Sequence, residues 1–75
     1  MMESLKTERL SDRVSKTILN IIKEEKFQPG DKFHSENTLV KRLGVSRSSI
    51  REALRSLEST GWVSVRHGKG VFINT

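Results

Sequence analysis

A single Gly-Val pair separates two amphipathic helix patterns in the middle of the sequence, and this short spacing restricts the fold. The first pattern follows Ser35, a residue suited to cap a helix N-terminus, and places Leu39 and Leu43 on one apolar face. Gly44 can adopt the left-handed conformation that closes a helix, and Ser46 is the next capping residue. Two short helices joined by a tight glycine turn predict a helix-turn-helix.

The second helix of the pair is predicted from residue 47 to about residue 60, where Gly61 ends it. At about 100° per residue its side chains divide between two faces. The apolar face consists of Ile50, Ala53, Leu54 and Leu57. The opposite face carries Arg47, Ser48, Arg51 and Arg55. One face therefore packs on the domain while the other presents cations to solvent.

A further helix precedes this pair, and two strands follow it. Ser11 is the expected N-cap of the first helix, which should end near Lys26 before a Pro-Gly turn. Residues 32–34 leave room for one short extended stretch. Residues 62–66 and 71–73 read as strands around a four-residue tip, residues 67–70, and Trp62 is expected to pack in the core or on the hairpin.

The predicted fold is mainly α with a small β-hairpin (α+β). Its order is helix, short strand, helix, helix, strand, strand, which is that of a winged helix-turn-helix. We expect residues 1–9 to be a flexible segment and residues 10–75 to form the domain. The absence of cysteine excludes disulfides and thiolate metal sites, and His34 and His67 are too far apart in sequence to suggest zinc.

No catalytic or cofactor-binding pattern is present, so an enzyme is not expected. No apolar run is long enough to span a membrane, and the polar start lacks a secretory signal, which favours a cytoplasmic protein. The net charge is +5. Residues 1–34 contain seven basic and six acidic side chains, whereas residues 35–75 contain seven and three. A basic half attracts polyanions, although charge alone is equally compatible with a merely soluble basic protein.

The run Ser-Arg-Ser-Ser-Ile-Arg at residues 46–51 is the sharpest functional signal. A helix that enters the DNA major groove points its N-terminal residues at base edges, and its free N–H groups favour phosphate. Arg47 suits a bidentate contact to guanine, while Ser48, Ser49 and Arg51 suit phosphate or base contacts. The alternative is that Ser46 only caps the helix and the arginines form a solvated face.

The glycine-rich tip suggests a second contact. His67, Gly68 and Lys69 would let the backbone approach a minor groove, with Lys69 neutralising phosphate, although a plain hairpin turn also needs glycine. Asn37 is suited either to a phosphate contact or to simple exposure. The candidate DNA-binding residues are Ser35, Asn37, Ser46, Arg47, Ser48, Ser49, Arg51, His67, Gly68 and Lys69.

Over roughly residues 10–74 the chain resembles the N-terminal DNA-binding domain of the GntR family of bacterial transcriptional regulators. The matching segments are Pro29-Gly30-Asp31, Ser35-Glu36 with Leu39, Leu43-Gly44-Val45-Ser46-Arg47, Ile50-Arg51-Glu52-Ala53-Leu54, Leu57-Glu58, Gly61-Trp62-Val63 and Gly68-Lys69-Gly70-Val71-Phe72. The resemblance implies binding of a homodimer to a short palindromic operator in double-stranded DNA, usually as a repressor released by a metabolite.

The His-Gly wing favours the FadR-like branch of that family. In that branch the recognition-helix contacts fall at Arg47, Ser48, Ser49 and Arg51, and the tip at His67-Gly68 reaches the minor groove. The chain departs from the family pattern at three positions: Asn37 stands where a DNA-contacting basic residue is common, His34 where proline is common, and Thr38 where glutamate is usual.

Family members usually carry a C-terminal domain that binds the effector and dimerises. Such a domain is absent from these 75 residues, so the isolated domain is expected to be monomeric or weakly dimeric.

Two other functions are alternatives to sequence-specific DNA binding. A protein–protein interaction module is disfavoured because interface cores are depleted in charge, and RNA binding is disfavoured because the A-form major groove is too deep and narrow.

Overall fold

The computed structural model describes residues 9–74, which form three helices and one antiparallel hairpin. Helix α1 spans Leu10–Glu24, α2 spans Glu36–Leu43 and α3 spans Arg47–Ser59. Strand β1 spans Val63–Arg66 and β2 spans Gly70–Ile73. This arrangement confirms the predicted winged helix-turn-helix. The flexible segment predicted for residues 1–9 lies outside the described residues, except for Arg9.

The predicted start of α1 is wrong. Arg9 occupies the N-cap position without a side-chain cap, and Ser11 lies inside the first turn with only 6% of its surface exposed. The backbone N–H groups of Asp12 and Arg13 both bond to the Arg9 carbonyl, at 3.0 and 3.2 Å. The helix therefore begins two residues earlier than a cap at Ser11 would place it, because Leu10 is already helical.

The end of α1 also differs from the sequence expectation. The helix stops at Glu24, and Lys26 takes a left-handed conformation with a φ of 59°. The Lys26 N–H bonds to the Lys23 carbonyl at 3.2 Å, and the Phe27 N–H bonds to the Ile22 carbonyl at 3.0 Å. This pattern is a Schellman motif, which usually has glycine at its left-handed position. A lysine there gives no sequence signal.

The helix-turn-helix itself follows the prediction. The Ser35 Oγ accepts a hydrogen bond from the Thr38 N–H at 3.1 Å and caps α2. Gly44 closes α2 with a φ of 66°, where a residue with a Cβ would be strained. The Ser46 Oγ then accepts from the Ser49 N–H at 3.2 Å and caps α3.

The core lies where α1 and α2 pack against α3 and the hairpin. Ile18, Leu39 and Ile50 contribute side chains that are completely inaccessible to solvent. All members of the predicted apolar face of α3 are buried, which confirms that face. The remaining core residues are Val14, Ile21, Ile22, Phe33, Ala53, Leu54, Leu57, Val63, Val71 and Ile73. This packing leaves the arginine side of α3 outward.

The hairpin pairs β1 with β2 from Val63 opposite Ile73 to Arg66 opposite Gly70. The tip therefore contains three residues, 67–69, and not the four predicted, because Gly70 already belongs to the ladder. Gly70 has a φ of 119°, and a Cβ there would lie 2.9 Å from the Lys32 Cε. The backbone conformation favours glycine at this position, and a larger residue would also have to displace the end of the flexible Lys32 side chain.

The short strand predicted at residues 32–34 is reduced to a single bridge between Lys32 and Phe72. The Phe33 N–H also bonds to the Val71 carbonyl at 2.7 Å, so this segment covers the outer edge of β2. The chain enters the Ser35 cap immediately afterwards, which leaves too few residues for a ladder.

None of the helices within residues 9–74 has the length and apolar content that crossing a bilayer requires.

Candidate nucleic-acid interface

The N-terminal end of α3 presents the side chains that the sequence singled out. Arg47, Ser48 and Arg51 are exposed, whereas Ser49 is half-buried. The buried face of α3 holds the helix by Ile50 and Leu54, so these polar side chains point away from the core. A helix end with free N–H groups and two guanidinium groups is an anion-binding surface.

The serines of this helix end form a connected cluster around the cap. The Ser46 Oγ accepts from the Ser49 N–H and lies 3.0 Å from the Ser49 Oγ and 3.3 Å from the Ser48 Oγ. A hydroxyl carries one proton, so Ser46 donates to only one of these neighbours at a time. Ser46 and Ser49 are thus engaged in building the helix end, and Ser48 is an exposed hydroxyl that takes no part in the cap.

Glu36, at the start of α2, lies between the two arginines of this surface. Its Oε1 accepts from the Arg47 Nη1 at 3.1 Å, and its Oε2 accepts from the Arg51 Nε at 3.0 Å. Both arginines remain substantially exposed, with 49% and 62% of their side chains accessible. The carboxylate therefore orients both guanidinium groups on the surface without burying them.

The electrostatics of Glu36 follow from this position. Partial burial raises the pKa of its carboxyl group, but the hydrogen bonds and charges of Arg51 and Arg47 together outweigh this effect. The net result is a pKa below the ordinary value of 4.5. Sequence reasoning treated Glu36 only as a first-turn acid, because its contact with α3 depends on how α2 and α3 cross.

The wing tip lies beside this helix surface. His67, Gly68 and Lys69 are exposed, and the Lys69 N–H bonds to the Arg66 carbonyl at 2.9 Å to close the turn. A groove of about 320 Å³ separates α3 from the wing. Its lining residues are Glu36, Arg51, Leu54, Arg55, Glu58, Val65 and His67. Of the candidate DNA-binding residues, Arg51 from α3 and His67 from the wing tip line this one groove.

Glu58 links α3 to the wing, and no local pattern in the sequence predicts this contact. Its Oε2 accepts from the backbone N–H of Val65 at 3.0 Å. That N–H belongs to the free edge of β1, since the partner ladder uses the neighbouring residues Ser64 and Arg66. One carboxylate from α3 thus holds strand β1 of the wing.

Within the wing, Arg66 makes a cation–π contact with Phe72, and its guanidinium carbon lies 5.3 Å from the centre of the ring.

The two candidates on α2 have different environments. The Ser35 hydroxyl is engaged in the cap, where its Oγ also lies 3.0 Å from the Thr38 Oγ1. Asn37 is exposed in the first turn, directly after Glu36. Of these two side chains, Asn37 has the more accessible polar group.

His34 takes part in a separate cluster between the end of α1 and α2. Its Nε2 lies 2.8 Å from the Glu25 Oε1 and 3.0 Å from the Arg42 Nη1, while the Arg42 Nη2 donates to the Glu25 Oε2 at 2.7 Å. A single ring nitrogen cannot donate to Glu25 and accept from Arg42 together, so these two contacts exclude one another. The hydrogen bonds from Arg42 and then His34 lower the pKa of Glu25. Arg42 is therefore an ion-pair partner of Glu25 and stays partly exposed.

Comparison with known proteins settles the family. The model for "Bacterial regulatory proteins, gntR family" matches residues 10–73. The chain belongs to the GntR family. Its fold and family are those of DNA-binding transcription regulators and not of enzymes.

Two relatives illustrate the similarity. The chain is 45% identical over 65 residues to the putative L-lactate dehydrogenase operon regulatory protein of Escherichia coli, covering 87% of this chain and 25% of that protein. It is 39% identical over 59 residues to the fatty acid metabolism regulator protein of Shewanella pealeana, covering 79% and 25%. The chain thus spans about a quarter of the length of these relatives.

A solved structure of a related domain contains DNA. The DNA-binding domain of AraR in complex with operator ORX1 superposes with a TM-score of 0.81 at 31% identity, covering 97% of this chain and 90% of that one. The similarity includes the three helices and the hairpin. That structure shows a domain of this fold bound to an operator.

Proposed function

We propose that this GntR domain binds double-stranded DNA sequence-specifically, with the N-terminal end of α3 in the major groove and residues 67–69 at the adjacent minor groove. The observation that carries this proposal is the shared groove between α3 and the wing. Arg51 and His67 line its opposite walls, and Arg47 and Ser48 are exposed at the same helix end. A protruding helix beside a basic hairpin suits a duplex with alternating wide and narrow grooves.

The roles within this surface differ. Arg47 is proposed to read guanine by a bidentate contact, and Arg51 to contact a base or a phosphate. Ser48, Ser49 and the helix N–H groups would face phosphate, together with Lys69. Ser35, Asn37 and Ser46 are proposed to approach the backbone at the starts of α2 and α3. His67 and Gly68 would bring the wing backbone close to the minor groove.

At the level of the whole regulator we propose a homodimer on a short palindromic operator, acting at the bacterial nucleoid in the cytoplasm as a metabolite-responsive repressor. The assignment to the FadR-like branch is supported by the His67-Gly68 wing and by the similarity to the fatty acid metabolism regulator protein of Shewanella pealeana. The long remainder of the relatives, about three quarters of their length, is the place where effector binding and dimerisation would reside.

The direct experiment is selection of preferred duplexes from a random pool with the 75-residue chain, followed by titration at several salt concentrations. Each phosphate contact should add about 0.9 to the slope of log affinity against log salt. Arg47→Ala should weaken binding to the selected duplex by about fivefold to 150-fold, the equivalent of 1–3 kcal/mol, and relax its sequence preference.

A matched variant controls for the loss of charge. Lys23→Ala removes one positive charge from the end of α1, outside the proposed surface, and should leave sequence preference unchanged. Equal affinity for RNA and DNA duplexes would contradict the proposal. So would a chain that selects no preferred duplex but binds a protein through the arginine face.

A further inference from the structure

A second surface of the domain is apolar, concave and separate from the DNA-binding surface. It is a groove of about 720 Å³ between the C-terminal half of α1, the turn after it and Trp62. Trp62 is 40% exposed and lies outside the core, which was one of the two positions expected for it beside packing on the hairpin. Leu19 and Phe27 are half-buried beside it and form the groove floor with Ile22. None of the proposed DNA-contacting residues lines this groove.

The rim of the groove carries a single sign of charge. Lys16, Lys23 and Lys26 line it, together with the amides of Asn20 and Gln28, and no carboxylate is among its lining residues. An apolar floor with a tryptophan is typical of an interaction hot spot, whereas phosphate binding requires polar groups throughout. A lysine rim adds complementarity to negative charge.

From this geometry we propose that the groove docks an amphipathic helix of a partner protein domain, with apolar side chains on the Trp62 floor and acidic side chains toward Lys23 and Lys26. Helix-in-groove recognition joins these two features: apolar anchors at helical spacing fill the groove, and flanking charges set orientation. The groove volume is within the range of about 300–1,000 Å³ typical of binding clefts. Docking of a second copy is opposed by the chain's own net charge of +5.

Trp62 makes the proposal measurable, because it is the single tryptophan of the 75-residue chain and its emission reports on the groove alone. The probe is a synthetic helix-forming peptide with leucine at helical spacing and glutamate on the flanking positions. A matched peptide replaces every glutamate with lysine. We expect the Glu peptide to shift Trp62 emission to shorter wavelength in a saturable manner, and the Lys peptide to cause no shift.

Two charge reversals test the rim. Lys23→Glu, in the last turn of α1, should weaken binding of the Glu peptide by about fivefold. Lys41→Glu makes the same change in the last turn of α2, outside the groove, and should have no effect on the peptide. Saturating peptide should also leave the affinity for the selected DNA duplex unchanged, which separates this inference from the proposed function.

Several results would overturn the proposal. These are no emission shift with the Glu peptide, an equal shift with both peptides, or an equal loss of affinity in both lysine variants. An emission maximum that moves with protein concentration alone would assign the groove to a second copy. A shift with phosphatidylglycerol vesicles and none with the peptide would assign it to a membrane surface.

Discussion

The Glu36 carboxylate accepts a hydrogen bond from the Arg51 Nε at 3.0 Å, and this contact defines the resting state of the recognition surface. Its other oxygen holds Arg47 at 3.1 Å. In the proposed complex, the two arginines would therefore approach DNA from a fixed arrangement, next to a negative charge that repels phosphate. A carboxylate so placed favours duplexes whose bases satisfy both guanidinium groups over duplexes that offer only phosphate.

Glu36→Gln should therefore raise the affinity for random duplexes by about twofold to fivefold. The ratio of the affinity for the selected duplex to the affinity for random duplexes should become smaller. The glutamine removes the repulsive charge and loosens both arginines. Titration of the two duplex types by fluorescence anisotropy measures both effects. Glu24→Gln, which removes a carboxylate near the end of α1, is the control. A variant that keeps the full preference for the selected duplex would show that Glu36 has no part in specificity.

Alanine variants of Ser46 and Ser48 should have different effects, the first on the stability of the domain and the second on DNA binding. Ser46→Ala removes the α3 cap and should lower the free energy of unfolding by about 0.5–2 kcal/mol, measured by urea denaturation. Ser48→Ala should change stability by less than about 0.5 kcal/mol but weaken DNA binding. Loss of stability in the Ser48 variant, or unchanged DNA affinity there, would argue against this division of roles.

We expect Glu58 to affect DNA binding indirectly, by holding the wing in place through its hydrogen bond to Val65. Glu58→Ala leaves the Val65 N–H without its acceptor and should weaken DNA binding severalfold, with loss of minor-groove protection in a hydroxyl-radical footprint. Glu58→Gln keeps an acceptor oxygen and should retain the wing footprint. If both variants change affinity equally, the effect comes from the lost charge and not from the hydrogen bond.

The Glu25 ion pair predicts a specific pH dependence. Arg42 and His34 lower the pKa of Glu25 below 4.5, so its stabilising contribution is complete above the unfolded pKa and is lost as pH falls through the lower folded value. Glu25→Gln should therefore lower the urea midpoint at neutral pH, and the difference from the wild type should vanish in strong acid. Glu24→Gln is again the control. A difference that persists unchanged into acid would contradict the assigned ion pair.

The sequence predicted the parts of the fold that rest on local signals. Ser35, Gly44 and Ser46 mark their helix ends by side-chain chemistry and backbone freedom, and the structure confirms all three. The end of α1 could not be predicted from Lys26, because lysine has no preference for the left-handed conformation that closes the helix there. The N-cap predicted at Ser11 is wrong, because a serine near the start of a helix has the same sequence pattern whether it caps the helix or is buried in its first turn.

The candidate interface shows the same division. The exposed arginine face of α3 follows from helical periodicity, so Arg47 and Arg51 were identifiable from the sequence. Glu36 and Glu58 were not, because their roles depend on contacts 15 and 7 residues away, between different elements. The exposure of Trp62 was equally hidden, since only the packing of α1 against the hairpin base decides which side of the ring remains open.

Replacing guanine by 7-deazaguanine in the selected duplex is the most direct test of the proposed major-groove role of α3. This change deletes the N7 acceptor in the major groove and leaves the minor groove and the phosphates unaltered. At the guanine read by Arg47, it should weaken binding of the wild-type chain by about tenfold and leave the Arg47→Ala variant unaffected. Equal binding of the wild type to both duplexes at every guanine would contradict major-groove reading by this helix.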